Sequence, residues 1–156
     1  MKIKLIMIGK TTGDLYIDAI DDYTNRIKHY NNFSIHVIPG LKNTKKLSQE
    51  QQKQAEGELI IKELTAQDTV ILMDERGKEY RSMEFAKWLE NKQLTAQNIV
   101  FVIGGPYGFS DSIYKRANEK ISLSKMTFSH QMVRLIFVEQ LYRACTIIKG
   151  ESYHHE

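Results

Sequence analysis

Two runs, Thr69–Met73 (Thr-Val-Ile-Leu-Met) and Ile99–Ile103 (Ile-Val-Phe-Val-Ile), carry no charge and no polar–apolar alternation. A strand with one face in water shows that alternation; a strand without it is covered on both faces. Neither run approaches the roughly 18–20 apolar residues of a membrane helix. Glycine-containing turns follow both: Glu75-Arg76-Gly77-Lys78 and Gly104-Gly105-Pro106-Tyr107-Gly108. Two strands buried on both faces need helices above and below them. That constrains the chain to an α/β fold built on a mostly parallel sheet.

The rest of the chain supplies those helices. Ile3–Ile8 reads as a first strand ending at Gly9, and Phe33–Val37 as another, stopped by Pro39-Gly40. Between them, Leu15–Tyr30 places Leu15, Ala19, Ile20, Tyr23 and Ile27 at helical spacing, with acids early and Arg26 and Lys28 late. Residues 40–47 form a lysine-rich loop. Ser48-Gln49-Glu50-Gln51 has capping-box spacing and predicts a helix to about Leu64. A helix is expected from Ser82 to about Leu94, and another from the Ser110 cap to about Asn118. Ile121–Leu123 reads as a short strand. The last helix runs from His130 to about Ile148, capped by Ser129 or Thr127, and Glu151–Glu156 reads as a loose tail.

The chain has 156 residues, enough for one domain spanning 1–156 with a core of its own. Its one cysteine, Cys145, excludes an internal disulfide and suits a reducing, cytoplasmic setting. The N-terminal apolar run is too short for a leader, and no small-residue cleavage site follows it. Net charge is +3. Residues 76–156 carry 12 Lys/Arg against 8 Asp/Glu, or +4, while residues 1–75 carry 10 against 11, or −1. A basic half fits a polyanionic partner.

In open α/β sheets, ligands bind beyond the carboxyl ends of the central strands. The candidate site is therefore the loops after Met73, Ile103 and Leu123. The Gly104–Gly108 segment lets backbone approach a ligand, but it lacks dinucleotide spacing and no Gly-Lys-Ser/Thr follows. The segment Leu123-Ser124-Lys125-Met126-Thr127-Phe128 offers backbone groups to a polar planar ligand, with Met126 and Phe128 as apolar walls. His130, at a helix N-terminus, has its protonated form disfavoured by the dipole. Arg134 follows one turn later, and Glu139 and Arg143 have the spacing of a pair.

On the last helix, Val133, Phe137, Leu141, Ala144 and Ile148 form one apolar stripe. Leu135, Val138, Tyr142 and Cys145 form a second, which predicts a two-fold subunit interface. At the chain end, Tyr153 and His154 suit stacking on and hydrogen bonding to an extruded base. Adjacent His154-His155 has poor metal-ligand spacing and no other cluster completes it, so no metal is expected.

Several of these stretches together resemble the ribosomal large-subunit methyltransferase H family. They are Met1–Gly9, Arg76-Gly77-Lys78, Val102–Gly108, Leu123-Ser124-Lys125-Met126-Thr127-Phe128-Ser129-His130-Gln131-Met132-Val133-Arg134, Glu139–Ala144 and Tyr153-His154. The resemblance implies a SPOUT fold with a C-terminal trefoil knot, which connection rules alone would discard. It implies a homodimer that uses S-adenosylmethionine to methylate N3 of a pseudouridine in 23S rRNA within the assembled ribosome. The family's cofactor contacts fall on Met73, Gly104 and Leu123 to Phe128, and the site as read from the loops adds Gly105. The sequence departs from the family pattern in Met73 for leucine, Ser129 for proline and His155 for a basic residue. N3 must lose its proton, so His130, Arg134 and His154 are the candidate catalytic groups, with Tyr153 and His154 toward the substrate.

Overall fold

The computed structural model describes residues 1–156. Five strands form one all-parallel sheet: β1 (Lys2–Ile8), β2 (Asn32–Ile38), β3 (Asp68–Glu79), β4 (Asn98–Ile103) and β5 (Glu119–Ser122). Their spatial order is β2-β1-β4-β3-β5, so β4 lies at the centre and β3 has a neighbour on each side. The helices are α1 (Asp14–Ile27), α2 (Gln49–Lys62), α3 (Ser82–Thr95), α4 (Asp111–Arg116) and α5 (His130–Ile148), and a short 3-10 turn (Thr44–Lys46) interrupts the lysine-rich loop.

The absence of alternation in the strands now has its cause. Ile3, Leu5, Met7, Ile71, Ile99, Phe101 and Ile103 face one side of the sheet, packed with Phe85, Leu89, Phe137, Val138 and Leu141 of α3 and α5. Ile6, Ile8, Val70, Leu72, Val100 and Val102 face the other, with Ile60 of α2, Ile113 of α4 and Phe109. Successive strand residues point to opposite faces, so odd and even positions each meet a core.

The capping box at α2 forms as expected: Gln51 N–H donates to Ser48 Oγ at 3.1 Å, and Ser48 N–H donates to Gln51 Oε1 at 2.8 Å. Ser129, and not Thr127, caps α5, accepting from Met132 N–H at 3.3 Å. Leu15 departs from its expected face and is 79% exposed, because α1 turns Ile20, Thr24 and Ile27 inward instead.

The predicted turn at residues 75–78 is instead part of β3, which runs on to Glu79. Its ladder with β5 slips there: Met73 and Lys78 both pair with Ile121. The intervening residues bulge outward, so the chain leaves the ladder without ending the strand. Gly77 makes this possible. A Cβ there would sit 2.6 Å from Ile121 N and from Lys120 C, so β5 backbone occupies the space of a side chain.

The second stripe of α5 is taken up only in part within the chain. Val138 and Cys145 are buried. Tyr142 meets Tyr23 of α1 at 5.8 Å between ring centroids, and Tyr30 at 6.1 Å. Helices α1 and α3 flank α5, while Leu135 and Tyr142 stay half-buried.

The expected loose tail is docked as well. Tyr30 OH donates to Glu151 Oε2 at 2.6 Å. The Tyr153 ring stands edge-on to Tyr142 at 4.8 Å, and its OH donates to Glu139 Oε1 at 3.1 Å. Arg143 Nη1 lies 3.0 Å from His154 Nδ1. The order comes from Glu139, Tyr142 and Arg143 of α5, one helix back in sequence, and from Tyr30, 121 positions before Glu151.

Candidate functional site

All five strands run parallel, so all their carboxyl ends open on one edge of the sheet. There the bulge within β3 and the loops after β4 and β5 enclose a cavity of about 700 Å³. Its wall includes Met73, Gly104, Gly105, Leu123, Ser124, Met126, Thr127, Phe128 and His130. Of the expected cofactor residues, only Lys125 stays out of the wall; its side chain is exposed, with Nζ 3.8 Å from Glu79 Oε1.

Two backbone features shape the wall. After β4 the chain turns tightly, with Gly108 N–H donating to Gly105 O at 3.2 Å across Pro106 and Tyr107. After β5, no backbone group of residues 123–128 bonds another backbone group; side chains hold the loop instead. Ser122 Oγ donates to Ser124 O at 2.8 Å, and Met126 N–H donates to Ser124 Oγ at 2.9 Å. Thr127 Oγ1 donates to Glu75 Oε2 at 3.1 Å, tying this loop to the bulge within β3. Most amides and carbonyls of the loop are left for a ligand.

Sequence patterns alone did not point to the acids of the site. Asp74, Glu75 and Asp111 line the cavity with Tyr114, and Tyr114 OH donates to Asp74 Oδ2. Burial first, and Asp74 second, push the Tyr114 hydroxyl up to about 12, so it stays a donor. The available signal was position: Asp74 and Glu75 follow the last apolar residue of a central strand, where ligands bind.

His130 and Arg134 do come together, but not as an open acid–base pair. Arg134 is 0% exposed and does not reach the cavity wall. Its guanidinium donates to Ile8 O at 2.7 Å and Thr11 Oγ1 at 3.0 Å, and it lies 2.9 Å from His130 Nε2. The same Nε2 lies 3.2 Å from Ile8 O, so this nitrogen sits between a group that only donates and one that only accepts. Nε2 thus faces Arg134 and the end of β1. Burial, and then the Arg134 charge, hold the His130 pKa below its ordinary value, against the pull of the Ile8 carbonyl. Arg134 thus ties α5 to the end of β1 and orients His130.

Tyr153 and His154 are not brought to this cavity. They sit with Glu139 and Arg143, whose own pair measures 2.5 Å, and Arg143 lies 4.9 Å from the Tyr153 ring centroid. Glu139 is nine residues past His130, about 13 Å along the helix at 1.5 Å per residue. Arg143 donates to His154 Nδ1, which leaves the buried Nε2 without a partner.

Comparison with known proteins gives the family. A family model described as "Predicted SPOUT methyltransferase" matches residues 1–154. The chain is 61% identical to the Ribosomal RNA large subunit methyltransferase H of Phocaeicola vulgatus, over the full length of both. It is 59% identical to the protein of that name from Parabacteroides distasonis and 55% to that from Flavobacterium johnsoniae, again over the whole of each chain. A sheet whose loops open on one cavity, matched end to end at this identity, leaves one assignment: the chain belongs to the SPOUT methyltransferase family.

Proposed function

We propose that this protein transfers a methyl group from S-adenosylmethionine to N3 of a pseudouridine in 23S rRNA within the assembled ribosome. The reading includes a homodimer, a cytoplasmic location and the trefoil threading that the family resemblance implies. The observation that carries it is full-length identity of 61% with a relative named as a large-subunit rRNA methyltransferase. No helix is long and apolar enough to cross a membrane.

The residues present suit the cofactor. The cavity volume lies within the range for a small-molecule site. The unpaired backbone of residues 123–128 suits the edge of an adenine, with Leu123 and Phe128 against its faces. Asp74, Glu75 and Asp111 suit a ligand that carries a sulfonium and an ammonium. When bound, S-adenosylmethionine supplies an activated methyl group, so the chain's task is positioning and handling one proton.

His130 lines the cavity, where its imidazole suits an oxygen of the uracil ring as charge develops at N3. Arg134, 2.9 Å from Nε2, holds the ring in place as a positioning residue. Tyr153 and His154 serve the target nucleotide. Their separation from His130 along α5 supports the dimer, in which a partner's tail completes the site.

The test is methyl transfer to intact ribosomes, separated subunits and naked rRNA, with the product mapped by mass analysis. Sedimentation at micromolar concentration checks the dimer. Methylation confined to tRNA, or a protein that sediments as a monomer, overturns the corresponding part.

A further inference from the structure

Glu56 has no place in the chemistry above, yet it is the acid the fold buries most deeply. It lies on α2, 4% exposed, and its Oε1 has no hydrogen-bond partner. An unpaired carboxyl is costly to bury and persists only where something requires it. Burial raises its pKa above the ordinary carboxylate range, with the Gln52 side chain acting in the opposite direction.

Its neighbour is the turn after β4. A Cβ built on Gly105 would lie 2.5 Å from Glu56 Oε1 and 2.6 Å from Oε2. Both carboxyl oxygens therefore occupy the space where a side chain at 105 would begin. Gly105 lines the cavity and Glu56 does not, so the carboxyl sits behind the turn. This corrects the simple view of the glycine: a side chain at 105 would strike Glu56, not the ligand.

Helix α2 has little freedom to retreat. A Cβ on Gly57 would lie 2.5 Å from Ser110 Oγ and 3.3 Å from Ile113, so α2 is packed closely on α4. One turn before Glu56, Lys53 reaches the cavity wall. The carboxyl is thus held between a fixed helix and the cofactor turn.

We propose that Glu56 is a positioning residue for cofactor binding: by backing Gly105 it sets the height at which the Gly104–Gly108 backbone faces the cavity. The proposal rests on the reading of that cavity as the S-adenosylmethionine site. A group behind a binding residue typically accounts for on the order of tenfold in affinity.

The experiment is calorimetric titration of S-adenosylmethionine into the full-length protein, its Glu56→Ala, Glu56→Gln and Gly105→Ala variants, and the Glu56→Ala/Gly105→Ala double variant. Thermal unfolding and steady-state methyl transfer are measured on each. Glu56→Ala is expected to weaken binding on the order of tenfold, raising KM for the cofactor with kcat little changed. Glu56→Gln, of the same shape and uncharged, should retain most of the affinity. Gly105→Ala should bind poorly, and the double variant better than Gly105→Ala alone, because the carboxyl that meets the new methyl is gone.

Wild-type affinity in Glu56→Ala, with binding intact in the parent, overturns this inference alone. So does a lowered unfolding temperature with unchanged affinity, which marks a purely structural residue, or a double variant no better than Gly105→Ala. A parent protein that does not bind S-adenosylmethionine overturns the reading of the cavity and this inference with it.

Discussion

Ending the chain after Ser152 removes Tyr153, His154, His155 and Glu156. Each interaction these residues make has its own magnitude, and the hydrogen bond from Arg143 to His154 is offset by the buried, unpartnered Nε2 of the same ring. The Tyr153–Tyr142 edge-on pair at 4.8 Å is worth about 0.5–1.5 kcal/mol. The Tyr153 hydroxyl on the Glu139 carboxylate is worth about 1.5–3 kcal/mol. The Arg143 guanidinium over the Tyr153 ring adds about 0.5–1 kcal/mol. The Arg81–Glu156 pair is exposed on both sides and adds almost nothing.

Against that gross gain of about 3–5 kcal/mol stands the entropy of ordering two residues, about 1–2 kcal/mol each in backbone alone. The net destabilisation on truncation is therefore about 1 kcal/mol. For a chain of this size that lowers Tm by about 2–4 °C. None of the four residues lines the cavity, so S-adenosylmethionine affinity should stay as it was. Methyl transfer to ribosomes should fall to a small fraction of its former rate, because the groups assigned to the nucleotide are gone. Calorimetric titration, thermal unfolding and a ribosome methylation assay on the same preparation separate these effects. Full activity after truncation refutes the assignment of Tyr153 and His154 to the substrate. Abolished cofactor affinity moves the tail into the cofactor site, and collapse of the fold shows the tail to be core.

Three further outcomes follow from single groups. The lowered His130 pKa means that the folded state binds fewer protons than the unfolded chain; its stabilisation is full above the ordinary histidine value of about 6.5 and is lost as pH falls through the folded value. Wild type should thus lose stability more steeply below that pH than His130→Gln, with denaturation midpoints against pH as the measure. Gly77→Ala puts a methyl 2.6 Å from β5 backbone that has no room to yield, and should destabilise by about 1–3 kcal/mol or more in chemical denaturation; an unchanged midpoint would show that the bulge relaxes. The Cys145 thiol is buried, and its pKa is pushed up to about 11 chiefly by burial, with Asn31 acting in the opposite direction. It should resist alkylation at mildly alkaline pH until the chain unfolds, as mass spectrometry of labelled native and denatured protein would show.

Much of this protein was legible in one dimension because its signals are local. Continuous apolar runs specify strands with two covered faces. The Ser48–Gln51 box and the Ser129 cap specify where two helices begin, since a cap is a bond between residues three apart. The loops at strand ends specify where a ligand binds. The motif strings at residues 102–108 and 123–134 specify the family.

Only the tertiary structure decided the rest, because the partners are distant in sequence. β3 continues through a segment of turn composition because β5 backbone approaches Gly77. The tail docks because the chain folds back on Glu139 and Tyr142 of the preceding helix and meets Tyr23, 130 positions away from Tyr153. Val138 and Cys145 of the second α5 stripe are buried within the same chain, while Leu135 and Tyr142 stay half-buried. Arg134 looks like a catalytic cation one turn from a histidine until its guanidinium is found on Ile8 O, 126 positions away. Glu56 looks like any helix-surface acid until α2 lays it behind Gly105. Periodicity fixes which face of an element is apolar; which element covers that face, and which polar group is sealed beneath it, depends on packing between segments that the linear chain holds apart.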